Sequence, residues 1–120
     1  MTRYLLLIFI GLLPNITFAW DKIDCEFVGG DTKEILVQSI HIRVTGLNKA
    51  DLVIETSQGV QTYQEVDCKK ETTPEHLFSC EHDQFIFITS LDEDPMPAAL
   101  NPFLYQGRQF GPFYFACYRG

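Results

Sequence analysis

Apolar and polar positions alternate with a period of two along almost the whole chain. Residues 35–45 (ILVQSIHIRVT) show it at greatest length. Leu36, Ile40, Ile42 and Val44 fall on one face, and Ser39, His41, Arg43 and Thr45 on the other. That alternation predicts a half-buried antiparallel strand. Shorter runs at 23–28 (IDCEFV), 51–56 (DLVIET) and 60–67 repeat the pattern. Glycine-bearing turn signals separate them at 29–31, 46–49 and 57–59.

The stretch from 60 to 91 organises the middle of the chain. Two strand-like runs flank a polar turn containing Pro74, and each carries a cysteine near the turn, Cys68 and Cys80. Antiparallel pairing of the runs brings these cysteines face to face. Residues 77–80 and 85–88 are apolar while 81–84 (EHDQ) are polar. This predicts a break or bulge and two strands rather than one long strand. Residues 92–97 (DEDPMP) read as an acidic loop. Residues 98–105 read as a short strand, which Pro102 should confine to a sheet edge. Residues 106–108 turn the chain, and 110–118 form a last strand. In it Phe113, Phe115 and Cys117 share one face, with Tyr114 and Tyr118 on the other. No amphipathic helix, repeat or linker interrupts this plan. The expected fold is all-β: a small single-domain antiparallel sandwich or barrel of seven to eight short strands.

The first nineteen residues stand apart. Arg3 precedes an apolar run at 4–13, Pro14 ends it, and Thr17 and Ala19 are small residues at the positions a signal peptidase reads. The expectation is a signal peptide over 1–19, cleaved before Trp20, and one exported β domain over 20–120. The run is too short to span a bilayer comfortably, so no membrane insertion is expected after cleavage. The sequon at Asn15 lies in the segment removed.

All four cysteines, Cys25, Cys68, Cys80 and Cys117, fall in the mature part. Behind an export signal, an even count reads as two disulfides in an oxidising compartment, periplasmic or extracellular. Four cysteines allow three pairings. The favoured one is Cys68–Cys80, closing a short hairpin loop, with Cys25–Cys117 tying the first strand to the last. No C-x-x-C spacing favours zinc instead.

Net charge is −7, and removal of Arg3 makes it −8. Without clustered Lys and Arg, such a chain is a poor ligand for nucleic acid or anionic lipid. The expected partner is a protein, basic by charge complementarity, or a carbohydrate.

Candidate chemistry is sparse. His76, Cys80 and His82 could form a metal-ligand cluster, but the disulfide claims Cys80. His41 and Ser39 share a strand face, yet no third orienting group or oxyanion signal is evident. Asp92, Glu93 and Asp94 lack calcium-loop spacing. No cofactor or metal site is expected. The most unusual feature is aromatic: Phe103, Tyr105, Phe110, Phe113, Tyr114, Phe115 and Tyr118 lie close together in sequence. Phenylalanines suit a core. Tyr105, Tyr114 and Tyr118, with Asp92 and Glu93, are the candidate binding residues, since tyrosine brings contact area at low entropic cost.

In length, all-β plan and cysteines in the first and last strands, the chain resembles the small periplasmic lysozyme-inhibitor barrels. The resemblance is one of layout, so no functional residue is carried over from it. The reading is a non-enzymatic binding module, an inhibitor or accessory subunit. The alternative is a small secreted hydrolase, with His41 the residue to test.

Overall fold

The computed structural model describes residues 21–31, 34–72 and 75–120. The expected signal peptide, its cleavage site and Pro74 lie outside these residues. Among the described residues nine strands follow one another: β1 (Lys22–Gly30), β2 (Val37–Gly46), β3 (Lys49–Thr56), β4 (Gly59–Glu71), β5 (Leu77–His82), β6 (Phe85–Ser90), β7 (Met96–Tyr105), β8 (Arg108–Phe110) and β9 (Phe113–Arg119). Every pairing is antiparallel. Strands β1 to β7 pair in sequence order, and β9 then joins β1 on one side to β7 on the other. That double pairing closes an eight-stranded barrel and decides between barrel and sandwich. Strand β8 is extra and, among the described residues, pairs only with β7.

Alternation places one apolar set inside. Ile23, Ile40, Leu52, Ile54, Phe85, Phe87, Leu100, Phe103, Phe113 and Phe115 are all at most 2% exposed. Both expected disulfides are present, Cys25–Cys117 and Cys68–Cys80. Each joins residues directly opposite one another, across β1 and β9 and across β4 and β5. The expected break falls within 81–84, at Asp83 and Gln84, which turn a β5–β6 hairpin, while Glu81 and His82 remain in β5. Asp67 still lies opposite Glu81. Lys49 of β3 takes Asp67 in an ion pair, which relieves the like-charge contact.

Three expectations need correction. In β2 the register shifts between Val37 and Ser39. An extra residue in a strand exchanges its faces. Ile35 and Val37 are therefore buried in place of Leu36, which is half exposed. Second, β7 is not an edge strand. It has β6 on one side and β9, then β8, on the other. Pro102 is tolerated because the pairing lapses around it. On one side the ladder changes from β9 at Leu100 to β8 at Phe103; on the other it shifts between Phe85 and Phe87. A missing N–H is harmless where no ladder bond is called for. Third, the last strand begins at Phe113 rather than 110, and Phe110 belongs to β8.

Two turns explain that last break. Gln106 and Gly107 both have positive φ, 53° and 78°, so the β7–β8 hairpin turns with the mirror-image geometry that suits strand twist. Gly30 ends β1 at φ 121°, and a Cβ there would lie 2.3 Å from the Pro112 carbonyl oxygen. That carbonyl accepts the Asp31 N–H at 2.9 Å, so the β8–β9 connection packs directly on the end of β1.

Candidate functional site

The barrel's outer surface divides into two unlike halves. Strands β1 to β3 present Asp24, His41, Arg43, Asp51 and Glu55, joined in ion pairs. Across β6, β7 and β9 the outward row runs Ile88, Ala99, Tyr114, each opposite the next. Ile86 lies two residues from Ile88 on the same face. Ile86 is 42%, Ile88 40% and Tyr114 47% exposed. Leu77, Ser90 and Pro97 complete a shallow hollow with Ile88, Ala99 and Tyr114, and no charged side chain among the described residues lines it. Exposed apolar side chains that adjoin one another, rather than standing singly, make this strip a candidate contact surface.

Of the five candidate binding residues, the fold gathers some and separates others. Tyr114 lies in the strip. Tyr118 is 45% exposed at the end of β9, and with Glu93, Asp94 and Arg119 it borders a hollow of about 350 Å³. Arg119 ties this end down by donating from Nη2 to the Leu91 carbonyl at 2.7 Å. Asp92 lies in the same loop and meets His76 Nδ1 at 2.7 Å. Tyr105 does not belong to the surface. It is 8% exposed, with its ring 6.1 Å from that of Phe103 in a stacked arrangement. It is two residues from Phe103 along the strand, and period two sends both side chains inward.

A polar constellation lies on the opposite half. His41 Nδ1 is 2.9 Å from Asp24 Oδ1, and His41 Nε2 is 3.3 Å from Ser39 Oγ and 3.4 Å from Glu55 Oε1. Ser39 donates its hydroxyl to Glu55. The third group that the sequence did not reveal is thus Asp24, supplied by β1. It is the register partner of His41, as Glu55 of β3 is of Ser39. Nothing in the linear order shows this, because the neighbours come from three strands.

The electrostatics follow from the contacts. The hydrogen bond that His41 donates to Asp24 raises the His41 pKa above 6.5; partial burial opposes this, and Glu55 adds to it. Glu55 is held below the usual carboxylate value by the Ser39 hydroxyl and by His41. The arrangement orients an imidazole, as a catalytic serine would need. It differs from a working triad in two ways. The serine proton points to Glu55 rather than to His41. Ser39 also sits within a strand paired on both sides, opposite Glu26 and Glu55, so two carboxylate-bearing residues flank it where a developing oxyanion would need donors.

The other histidines are dispersed. His76 meets Asp92, while His82 stacks on Phe85 with ring centroids 5.2 Å apart and meets the edge of Tyr63 at 4.9 Å. Burial raises the Tyr63 pKa, with a further push from Tyr105. Among the described residues, no group of three or more His, Cys, Asp and Glu side chains is placed to hold a metal ion. No protein-family model, curated protein or solved structure matches the chain. Two closed disulfides and no free cysteine point to an oxidising environment.

Proposed function

We propose that this chain is an exported, non-catalytic module of the periplasm or the extracellular space, which binds a basic protein through the apolar strip on β6, β7 and β9. The observation that carries the proposal is the uncharged row Ile88, Ala99, Tyr114 on the outside of a barrel whose other half is charged. An anchor such as Tyr114, surrounded by small and β-branched residues, is the usual centre of a protein contact. The strip offers few hydrogen-bonding groups, which favours protein over carbohydrate. Glu93 and Asp94 beside Tyr118 supply an acidic border, which favours lysines and arginines around the partner's own apolar centre. Inhibitor and accessory subunit are both forms of this reading.

The test is capture from the native exported fraction with wild-type, Tyr114→Ala and Ile88→Asp baits. A captured protein should be lost with both variants, Tyr114→Ala alone weakening its Kd roughly thirty-fold if this is a hot spot of about 2 kcal/mol. The thermal midpoint should barely move. Added salt should weaken the complex. Equal capture by all three baits would remove the strip as the binding surface.

One observation favours the hydrolase alternative: Asp24, His41 and Ser39 stand in triad order. A fluorophosphonate probe that labels Ser39 in the wild type and fails in His41→Ala would support it.

A further inference from the structure

Strand β4 has two halves with different neighbours. Residues 59–67 pair with β3, but only residues 67–71 pair with β5. Along residues 60–64 the side facing away from β3 has no strand partner among the described residues. The register says which backbone groups point that way. Thr56 and Gly59 close the β3–β4 hairpin around Ser57 and Gln58, and Thr56 is paired with Gly59. A two-residue hairpin closes on a hydrogen-bonded pair, and hydrogen-bonded and open pairs then alternate. Ile54 with Gln61 and Leu52 with Tyr63 are therefore bonded pairs. Glu55 with Val60 and Val53 with Thr62 are open ones. The N–H and C=O groups of Val60 and Thr62 project away from β3, to the free edge.

Natural edges are usually guarded by lysine, proline, inward charges or a bulge. Residues 59–64 (GVQTYQ) carry none of the first three. The guard comes only at Glu65, where φ is 54°, the register shifts, and the N–H goes to Asp51 Oδ1 at 3.0 Å. The unguarded window thus runs from the hairpin turn to the bulge, and Thr62 stands at its centre. Val60 in this window is 59% exposed.

We infer that this edge pairs antiparallel with the same edge of a second copy, forming a two-fold dimer centred on Thr62. About that axis Thr62 faces Thr62 of the second copy, a favourable cross-strand pair, and exchanges both backbone bonds with it. Val60 faces Gln64 of the second copy, and Gln61 faces Tyr63. The first charged residue, Glu65, comes opposite Gly59, so no like charges oppose each other along the shared edge. An acidic chain otherwise repels its own copy, and the longest uncharged part of this exposed edge is where that repulsion is least. An isologous contact of this kind closes on itself and does not propagate. The paired segment is short, so the dimer is a weak one that forms as concentration rises.

Sedimentation equilibrium on the disulfide-intact protein tests this over a roughly hundred-fold concentration series. The weight-average mass should climb toward twice the monomer, and salt should tighten the dimer by screening two acidic chains. Thr62→Pro removes an N–H the barrel itself does not use, and Thr62→Lys sets two like charges opposite each other at the axis. Both should stay monomeric across the series with an unaltered circular dichroism spectrum. Tyr114→Ala, which lies on the strip and not on this edge, should dimerise as the wild type does. A wild-type protein that remains monomeric throughout overturns the proposal, and so does a dimer that Thr62→Lys leaves intact. Loss of dimer in Tyr114→Ala but not in Thr62→Lys would place the contact on the strip and overturn it equally.

Discussion

Replacing Cys25 and Cys117 together by alanine should destabilise the barrel more than replacing Cys68 and Cys80. The two bridges are alike in burial and in register. All four cysteines are at most 5% exposed, and each pair links directly opposite residues of neighbouring strands. The cavities left by removing the sulfurs should therefore nearly cancel in the comparison. What differs is the loop each bridge closes in the unfolded chain: sequence separations of 92 and 12. The chain-entropy relation makes these worth about 4.6 and about 2.8 kcal/mol. The short loop is nested in the long one and shortens it slightly, a correction of about 0.1 kcal/mol. The expected difference between the double variants is about 1.8 kcal/mol, roughly twenty-fold in the unfolding equilibrium. Urea titration followed by tryptophan-independent circular dichroism measures it. The comparison must use extrapolated free energies, because losing a crosslink expands the unfolded state and raises m. A difference below about 0.5 kcal/mol, or one of opposite sign, would refute the loop-entropy account. It would mean that the β1–β9 seam is held by its ladder and packing, with the bridge adding little.

Tyr105→Ala should cost about 3 kcal/mol and Tyr114→Ala less than about 1, because only the first empties part of the core; thermal melts of both variants check the order. Gly30→Ala should cost about 2 kcal/mol, since its Cβ would strike the Pro112 carbonyl at a φ that alanine avoids, while Gly29→Ala, with open space around it, should be nearly silent in the same urea titration. His41 holds its proton more tightly when folded, so its contribution is complete below the unfolded pKa near 6.5 and is lost as pH rises through the higher folded value. Half-exposed and screened, it should amount to no more than about 0.5 kcal/mol between mildly acidic and mildly alkaline solution, and His41→Gln should flatten that slope. Glu55 acts in the other direction: its lowered pKa makes its contribution fade as pH falls through the folded value, so stability of the cluster should peak between the two groups' ranges.

The chain's own order determined whatever depends on near neighbours. Period two was enough to send Phe113, Phe115 and Cys117 inward and Tyr114 and Tyr118 outward, because successive side chains on a strand must alternate. Facing cysteines on either side of one turn were enough for the Cys68–Cys80 register. Polar residues 81–84 were enough to divide β5 from β6. The same logic failed where a strand gains a residue. The shift between Val37 and Ser39 exchanged Leu36 for Val37, and no glycine or proline in residues 35–40 marks that position. Pro102 signals an edge by a sound rule, but whether a missing N–H matters depends on which strand lies beside it at that point. Tyr105 resembles Tyr114 in aromatic character alone; in β7 it is in phase with Phe103 and buried with it. Closure of the barrel, the separation of a charged half from an apolar half, and the meeting of Asp24 with His41 and of Ser39 with Glu55 were decided by tertiary structure alone. Each depends on the register between strands distant in sequence, and register is a property of the assembled sheet: a slip of one residue turns every side chain of a strand to the other face.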